Sequence, residues 1–410
     1  MADRPNILWI VTTQWRAQAC GYAGDPNART PGLDVLAAQS VNHVQAVTPH
    51  PFGPFARAGL LTGVPCPENG VRDYYDPLPT TARTVAHALG ERGYATAWFG
   101  KWHLWKRDPL APLVSAAHAT SIVPPEARGG FAFWEGFESG FQLHDPWLHG
   151  TDLPQPVQMR GYQSDVLCAR AGRWITNASR PQSTPWFAVV STEPPHPPYD
   201  ATALTDFVRD PSALQLPPNV PRGGDVETRA RRELAGYYAH IEATDRAIGK
   251  LIHDLPQDTI VVLTSVHGDM HGAHGRFRKG WPHEESIRVP LLVRHPRLAP
   301  GRNVTPISLL DIPAMTVAWA HGDVGNCGRD FAGISMPSVV RLHDQCDRVW
   351  SGVRTPEWKV TFGPDGEPWL VFDLAADPME MQPINDGPER DSWVKQARTW
   401  LSKPFVASGL

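Results

Sequence analysis

The sequence predicts an α/β protein with a mostly parallel central sheet, helices on both faces, and a small antiparallel subdomain at the carboxyl end. Continuous apolar runs of strand length recur along the chain, as is typical of strands buried on both faces. Helical patterns separate these runs, as in βαβ units. Near residue 347 the pattern changes to short alternating segments around a turn signal, which favours an antiparallel unit.

Each element of this prediction has its own signal. Strands are predicted at residues 7–11, 186–191, 259–264 and 290–293, and helices at 81–92, 230–251 and 390–402. The turn Pro364-Asp365-Gly366 lies inside the terminal unit. The prediction is therefore an α/β domain over residues 1–346 and an α+β subdomain over 347–410.

Composition limits the classes of partner. The 410 residues carry a formal net charge of −4, which gives no reason to expect nucleic-acid or membrane binding. The chain enters its first strand without the apolar region of a signal peptide. Its cysteines are scattered and odd in number, which predicts reduced thiols and a cytoplasmic location. They are Cys20, Cys66, Cys168, Cys327 and Cys346. A homo-oligomer is left open.

Seven short segments in register resemble the signatures of the type I sulfatases, a family of the alkaline phosphatase superfamily. They are RPNILWIVT (4–12), TPGLDVLA (30–37), GPFARAGLLTG (53–63), GKWHL (100–104), PHPPY (195–199), SVHGD (265–269) with KG (279–280), and FDL (372–374) with DPME (377–380). The resemblance implies an alkaline-phosphatase-like fold, with the site at the carboxyl ends of strands.

The resemblance also implies a degenerate nucleophile. The family pattern C-x-P-S-R-x-x-L-x-T-G begins with a Cys or Ser that is oxidised to formylglycine. Gly53 stands at this position and carries no nucleophile. Sulfatase chemistry in the family's usual form is therefore not expected.

Departures also occur where the family has metal-ligand aspartates. The pair after the first strand reads Thr13-Gln14, and the later aspartate is Val266. A hard divalent cation takes roughly 6–8 oxygen ligands, which Gln14 and His267 alone cannot supply. We therefore expect no metal and no cofactor.

The cationic half of the family's pocket is present in the sequence. By resemblance, Lys101, His103, His196 and Lys279 surround the sulfate oxygens, and Arg57 supports the nucleophile loop. We place Gln14 with them in an anion pocket. Clustered cations repel one another unless an anion joins them, so an anionic small-molecule substrate is expected.

Two other chemistries are weighed against this interpretation. His267, His271 and His274 lie close enough in sequence to suggest zinc, but a structural role is preferred because Val266 removes the central carboxylate. Thr13, activated by His267 or His50, is a candidate replacement nucleophile, ranked below a mechanism without one.

Three functions remain open at this point. The first is a metal-independent enzyme in which His103, His196 or His267 is the base for sulfate elimination, intramolecular displacement or group transfer. The second is a catalytically inactive anion-binding or scaffold protein. The third is an ordinary sulfate or phosphate ester hydrolase.

Overall fold

The computed structural model describes residues 4–177, 184–199, 207–325 and 328–402. Its strands are β1 Ile7–Thr12, β2 Val41–His43, β3 Ala46–Val47, β4 Ala95–Lys101, β5 Phe133–Phe137, β6 Trp147–Gly150, β7 Val157–Gln158, β8 Trp186–Ser191, β9 Ile260–Ser265, β10 Leu291–Arg294, β11 Gly301–Asn303, β12 Ile307–Ser308, β13 Ala332–Met336, β14 Trp350–Arg354, β15 Trp358–Phe362 and β16 Pro368–Asp373. Its α-helices are α1 Pro31–Ala38, α2 Gly53–Thr62, α3 Val85–Gly90, α4 Ala116–Ala119, α5 Gln163–Ile175, α6 Asp225–His253, α7 Glu284–Ile287, α8 Ile312–Ala320 and α9 Pro388–Leu401.

A ten-stranded sheet forms the centre, in the order β11-β2-β10-β9-β1-β8-β4-β5-β6-β7. Its middle strands β9, β1, β8, β4 and β5 are all parallel to their neighbours in this group. Antiparallel pairs occur toward the edges, at β10 and at β6. The predicted mostly parallel sheet is confirmed.

The continuous apolar runs exist because both sheet faces are covered. In β1, Ile7, Trp9 and Val11 pack into one core with residues of α2, α3 and α8. The alternate residues Leu8 and Ile10 pack into a second core with α1, α5 and α6. Since successive side chains of a strand point to opposite faces, a strand buried on both sides has no polar position.

The small sheet at the carboxyl end is antiparallel, in the order β13-β14-β15-β16. Helix α9 covers it, with Trp393 and Trp400 stacked on Trp358 at ring distances of 5.9 and 5.6 Å. The sheet begins at Ala332, before the predicted boundary after residue 346. The alternation starts earlier because β13 pairs with β14 across a long loop, which no local pattern reveals.

Other sequence predictions differ in detail. The helix predicted over 81–92 is confined to α3, because Thr84 caps its amino terminus with a side-chain bond to Ala86 N.

Cys327 lies outside the described residues, and the other four cysteines are buried free thiols. No helix among the described residues is both long and apolar enough to cross a bilayer.

Candidate active site

Four adjacent parallel strands end at the same edge of the sheet and supply most of the predicted site. Thr13 follows β1, Lys101 ends β4, His196 follows β8, and His267 follows β9. Together with Gly53, His103 and Lys279 they line one cavity of about 720 Å³. The structure therefore brings the predicted residues together at the carboxyl edge of the sheet.

Gly53 is the first residue of helix α2, whose ten residues are all buried. A Cβ placed on Gly53 would lie 2.8 Å from His103 Nδ1 and 3.4 Å from an Arg57 NH group. His103 thus occupies the space that a side chain at Gly53 would need. The helix amino terminus at this point also favours an anion.

Arg107 sets the tautomer of His103. One Arg107 NH group bonds to His103 Nε2, and another bonds to the Tyr74 carbonyl. Because arginine only donates, Nε2 must accept, and the ring proton resides on Nδ1. That Nδ1 is buried without a partner among the described residues, beside Gly53. Burial and the nearby Arg107 charge hold the pKa of His103 well below its usual value, so it is a neutral donor.

Both ring nitrogens of His196 have hydrogen-bond partners. Its Nδ1 lies 2.8 Å from the Pro197 carbonyl, to which it donates, and its Nε2 accepts from Lys279 Nζ at 3.1 Å. Burial and the Lys279 charge hold its pKa well below the usual value. His196 therefore positions Lys279.

Of the three predicted bases, His267 has an unprotonated ring nitrogen without a hydrogen-bond partner among the described residues. Its Nδ1 donates to the Gly268 carbonyl at 2.9 Å, so its Nε2 is unprotonated. That Nε2 is buried without a partner in the described part of the chain, and His267 lines the cavity. Of the three predicted bases, His267 has the geometry of one.

The lysines differ in how their charge is balanced. Lys101 Nζ lies 3.0 Å from Glu193 Oε1, both fully buried, so the expected repulsion among cations is partly cancelled inside the protein. Lys279 Nζ instead donates to the neutral Gln14 Oε1 at 2.7 Å and to His196. Burial lowers the pKa of Lys101 to about 8, although the Glu193 charge acts to raise it. Burial lowers the pKa of Lys279 to about 7, although the Asp269 charge acts to raise it.

Arg57 lies beneath the cavity. One NH group donates to Thr13 Oγ1 at 2.7 Å, while its other NH and its Nε lack partners among the described residues. Burial lowers its pKa to about 10. Like Lys279, it has no carboxylate in direct contact within the described chain.

The positions that resemble metal ligands do not fit a divalent cation. The Thr13 and Gln14 side-chain oxygens already accept from Arg57 and Lys279, and Val266 is a fully buried hydrocarbon. A metal here would face two cationic donors. Gln14 bonds to Lys279 and, like Arg57, is not among the residues that line the cavity, so its place in an anion pocket stays a prediction.

Thr13 is not arranged as a nucleophile. Its hydroxyl donates to the Thr192 carbonyl at 2.8 Å and accepts from Arg57. His50, its predicted partner, accepts from Cys66 N at 2.8 Å and contacts Ser335. Both side chains are committed to structural bonds.

The other histidines belong to separate clusters. His271 packs on Tyr237 at a ring distance of 4.2 Å, and His274 on His283 at 4.6 Å, so neither shares a site with His267. Among the described residues, one group could hold a metal, formed by His274, Glu285 and Glu380. A buried Lys359 ammonium already contacts Glu380 there.

Sequence reasoning assigned no role to Asp269, Glu193, Arg107 or Tyr199. Asp269 is fully buried and accepts from Gln14 and Tyr199, forming a chain that ends at Lys279. Glu193 could have been found, because it follows β8 beside the strand that carries Lys101. Arg107 has no comparable signal, since it lies in an irregular loop after β4.

The fold and site define an α/β protein with a cavity lined by lysine and histidine side chains at the carboxyl edge of parallel strands. A family model described as Sulfatase matches residues 5–322. The chain belongs to the sulfatase family.

Relatives cover nearly the whole chain. It is 31% identical to an ulvan-active sulfatase of Formosa agariphila, over 99% of this chain and 82% of that protein. It is 26% identical to a choline-sulfatase of Rhizobium meliloti, over 94% and 83%. The crystal structure of a putative sulfatase from Bacteroides fragilis superposes with a TM-score of 0.85 at 25% identity, over 99% and 98% of the two chains.

Proposed function

We propose that this chain is an enzyme that binds the sulfuryl group, or a similar anion, of a small molecule over Gly53. It releases that group by acid–base chemistry of its own side chains, without a formylglycine nucleophile and without a metal. One observation carries the proposal: His267 and His103 line the same cavity, neither His267 Nε2 nor His103 Nδ1–H has a hydrogen-bond partner among the described residues, and an Arg57 NH group lies close to Gly53.

Sulfate is a weakly basic leaving group, so carbon–oxygen cleavage needs a base and a cradle for departing charge. In elimination, His267 Nε2 takes a proton from the carbon next to the one that bears the sulfate, and the C–H electrons form a carbon–carbon double bond. In displacement, it takes the proton of a substrate hydroxyl or amine whose oxygen or nitrogen bonds to the carbon that bears the sulfate. The C–O electron pair then departs with sulfate. His103 N–H, Arg57 and Lys279 stabilise that charge where preorganised donors act most strongly.

Two alternatives are retained. Ester hydrolysis is supported by the names of relatives, which include sulfatases and, at 21% identity, a phosphonate monoester hydrolase of Agrobacterium radiobacter. A binding-only role is supported by the same cation cradle, since binding and turnover need it equally.

Isotope-labelled water distinguishes the proposed carbon–oxygen cleavage from ester hydrolysis. Alkyl sulfate esters are incubated with the protein in water enriched in oxygen-18. Carbon–oxygen cleavage gives sulfate free of solvent oxygen, whereas hydrolysis at sulfur inserts one such atom. Solvent oxygen in the product would establish hydrolysis and overturn the proposed bond cleavage.

His267→Ala separates turnover from binding. A catalytic base should lose rate by about 10²–10⁴-fold with little change in ligand affinity. His253→Ala, at the exposed end of α6, is the matched control. Loss of affinity alone would favour the binding protein.

A further inference from the structure

We infer that the substrate joins its anionic head to an apolar, alkyl or aryl body rather than to a sugar. The inference rests on the proposed function, because the body is placed by an anion seated over Gly53. It follows from the walls of the cavity above the cations.

Aromatic rings surround the cationic floor. Phe141 stacks on His196 at 4.3 Å and lies 4.1 Å from Lys101 Nζ. Tyr74 packs edge-on against His103 at 5.8 Å and against Phe52 at 5.4 Å. The rings exclude water from the floor, which strengthens its interaction with an anion.

The cavity lining also includes aliphatic side chains. Leu113, Val114 and Leu342 line the cavity, and Val114 is 58% exposed. Leu113 and Leu342 also pack against the main core, so their side chains are held in place. An apolar surface that continues from the floor of a pocket gains free energy by covering apolar ligand surface.

The opposite wall is polar, but its charges are largely paired within the protein. Arg278 donates to Glu233 at 2.6 Å, and Glu233 also accepts from Arg229. His343 lies 2.8 Å from Asp344, and Arg232 is exposed to solvent. Arg278, Glu233 and His343 already have protein partners, so they are less available to sugar hydroxyls, whose desolvation would be unfavourable against the aliphatic side chains.

The test compares three ligands of one head group by calorimetry: inorganic sulfate, hexyl sulfate and glucose 6-sulfate. We expect hexyl sulfate to bind at least about tenfold more tightly than inorganic sulfate, and glucose 6-sulfate to gain less. Glucose 6-sulfate binding as tightly as hexyl sulfate would overturn the inference alone. Absence of binding by all three would overturn the proposed function as well.

Variants of the aliphatic wall locate the effect. Leu113→Asn with Val114→Asn should remove most of the hexyl advantage while inorganic sulfate binding is retained. Leu110→Asn, in the same loop but 91% exposed and outside the cavity lining, is the matched control. If the double variant does not fold, the exposed Val114→Asn alone carries the test. An unchanged hexyl advantage in whichever variant folds would overturn the inference.

Discussion

Two buried groups of charge in this molecule are built differently. In the first, at the junction of α7 with the small sheet, Arg354 and Lys359 contact Glu284, and Lys359 also contacts Glu380. In the second, at the cavity, Arg57 bonds to a neutral hydroxyl group, and Lys279 bonds to a neutral amide and a neutral imidazole. One group is electrically complete without a ligand, and the other is not.

The difference indicates which charges hold the fold and which await a ligand. A buried cation without a carboxylate costs free energy unless something compensates it. The fold places carboxylates beside Arg354 and Lys359, yet puts the neutral amide of Gln14 beside Lys279. This arrangement supports the proposal that a bound anion completes the pocket.

The largest expected effect comes from breaking the paired group. Glu284→Gln should lower the free energy of unfolding by about 3–5 kcal/mol, because it leaves buried Arg354 and Lys359 short of a carboxylate. Nearby cations hold the pKa of Glu284 well below its usual 4.5 despite burial. Its contribution is thus present above pH 4.5 and is lost as the pH falls toward the folded pKa. Urea denaturation at pH 7 and pH 4 measures both, and equal stability to wild type would contradict the comparison.

A side chain at Gly53 tests how tightly the pocket floor is built. Gly53→Cys should cost about 1–3 kcal/mol of stability, since its Cβ would meet His103 Nδ1 at 2.8 Å. We expect no aryl sulfate hydrolysis, because neither formylglycine formation nor a metal site is restored. Appreciable hydrolysis by this single variant would contradict the proposed loss of metal.

Removing an unpaired cation should have the opposite signature to Glu284→Gln. Lys279→Met should weaken sulfate binding by about 1–3 kcal/mol and lower the unfolding free energy by less than Glu284→Gln does, since it leaves only the neutral acceptors of Gln14 and His196 without a donor. Thermal unfolding with and without sulfate measures both, since a ligand of the folded state raises apparent stability. Lys395→Met, exposed on α9, is the control. If sulfate protects wild type and Lys279→Met equally, Lys279 is not part of the anion site.

Titration of the pocket lysines sharpens the same point. Because burial lowers their pKa values to about 8 and 7, their folded forms lose protons before their unfolded forms do. Without an anion, their contribution to stability rises with pH from about 7 toward the unfolded value of 10.5. Sulfate affinity should instead fall as pH rises through 7–8, by up to about tenfold per unit for each coupled proton. A flat affinity between pH 6 and 9 would contradict this.

The central fold could be predicted from the sequence because its strands leave local patterns of apolar residues. Strands buried on both faces leave apolar runs such as residues 7–11, and the motif positions fall at their carboxyl ends. The cation set of the pocket was likewise recovered from short motifs.

What sequence could not predict is how those side chains are partnered. Whether His103 or His267 has a free lone pair depends on Arg107 and on one backbone carbonyl, which only the folded chain brings near. The pairing of Lys101 with Glu193 joins residues far apart in sequence. Residue type predicts an anion pocket, but hydrogen bonding decides which histidine has an unshared lone pair and is therefore proposed as the base.

The smallest expected effect concerns a third kind of charge pair, on the surface. Arg83 and Glu91 form two 2.7 Å hydrogen bonds, with side chains 45% and 57% exposed. Glu91→Gln should change the unfolding free energy far less than Glu284→Gln does, because solvent screens the pair and ordering two long side chains offsets the attraction. Urea denaturation in parallel with Glu284→Gln makes this a matched test, since both replace a carboxylate that contacts arginine. A loss as large as that of Glu284→Gln would show that burial does not set the cost, and the distinction between complete and incomplete buried groups would lose its physical basis.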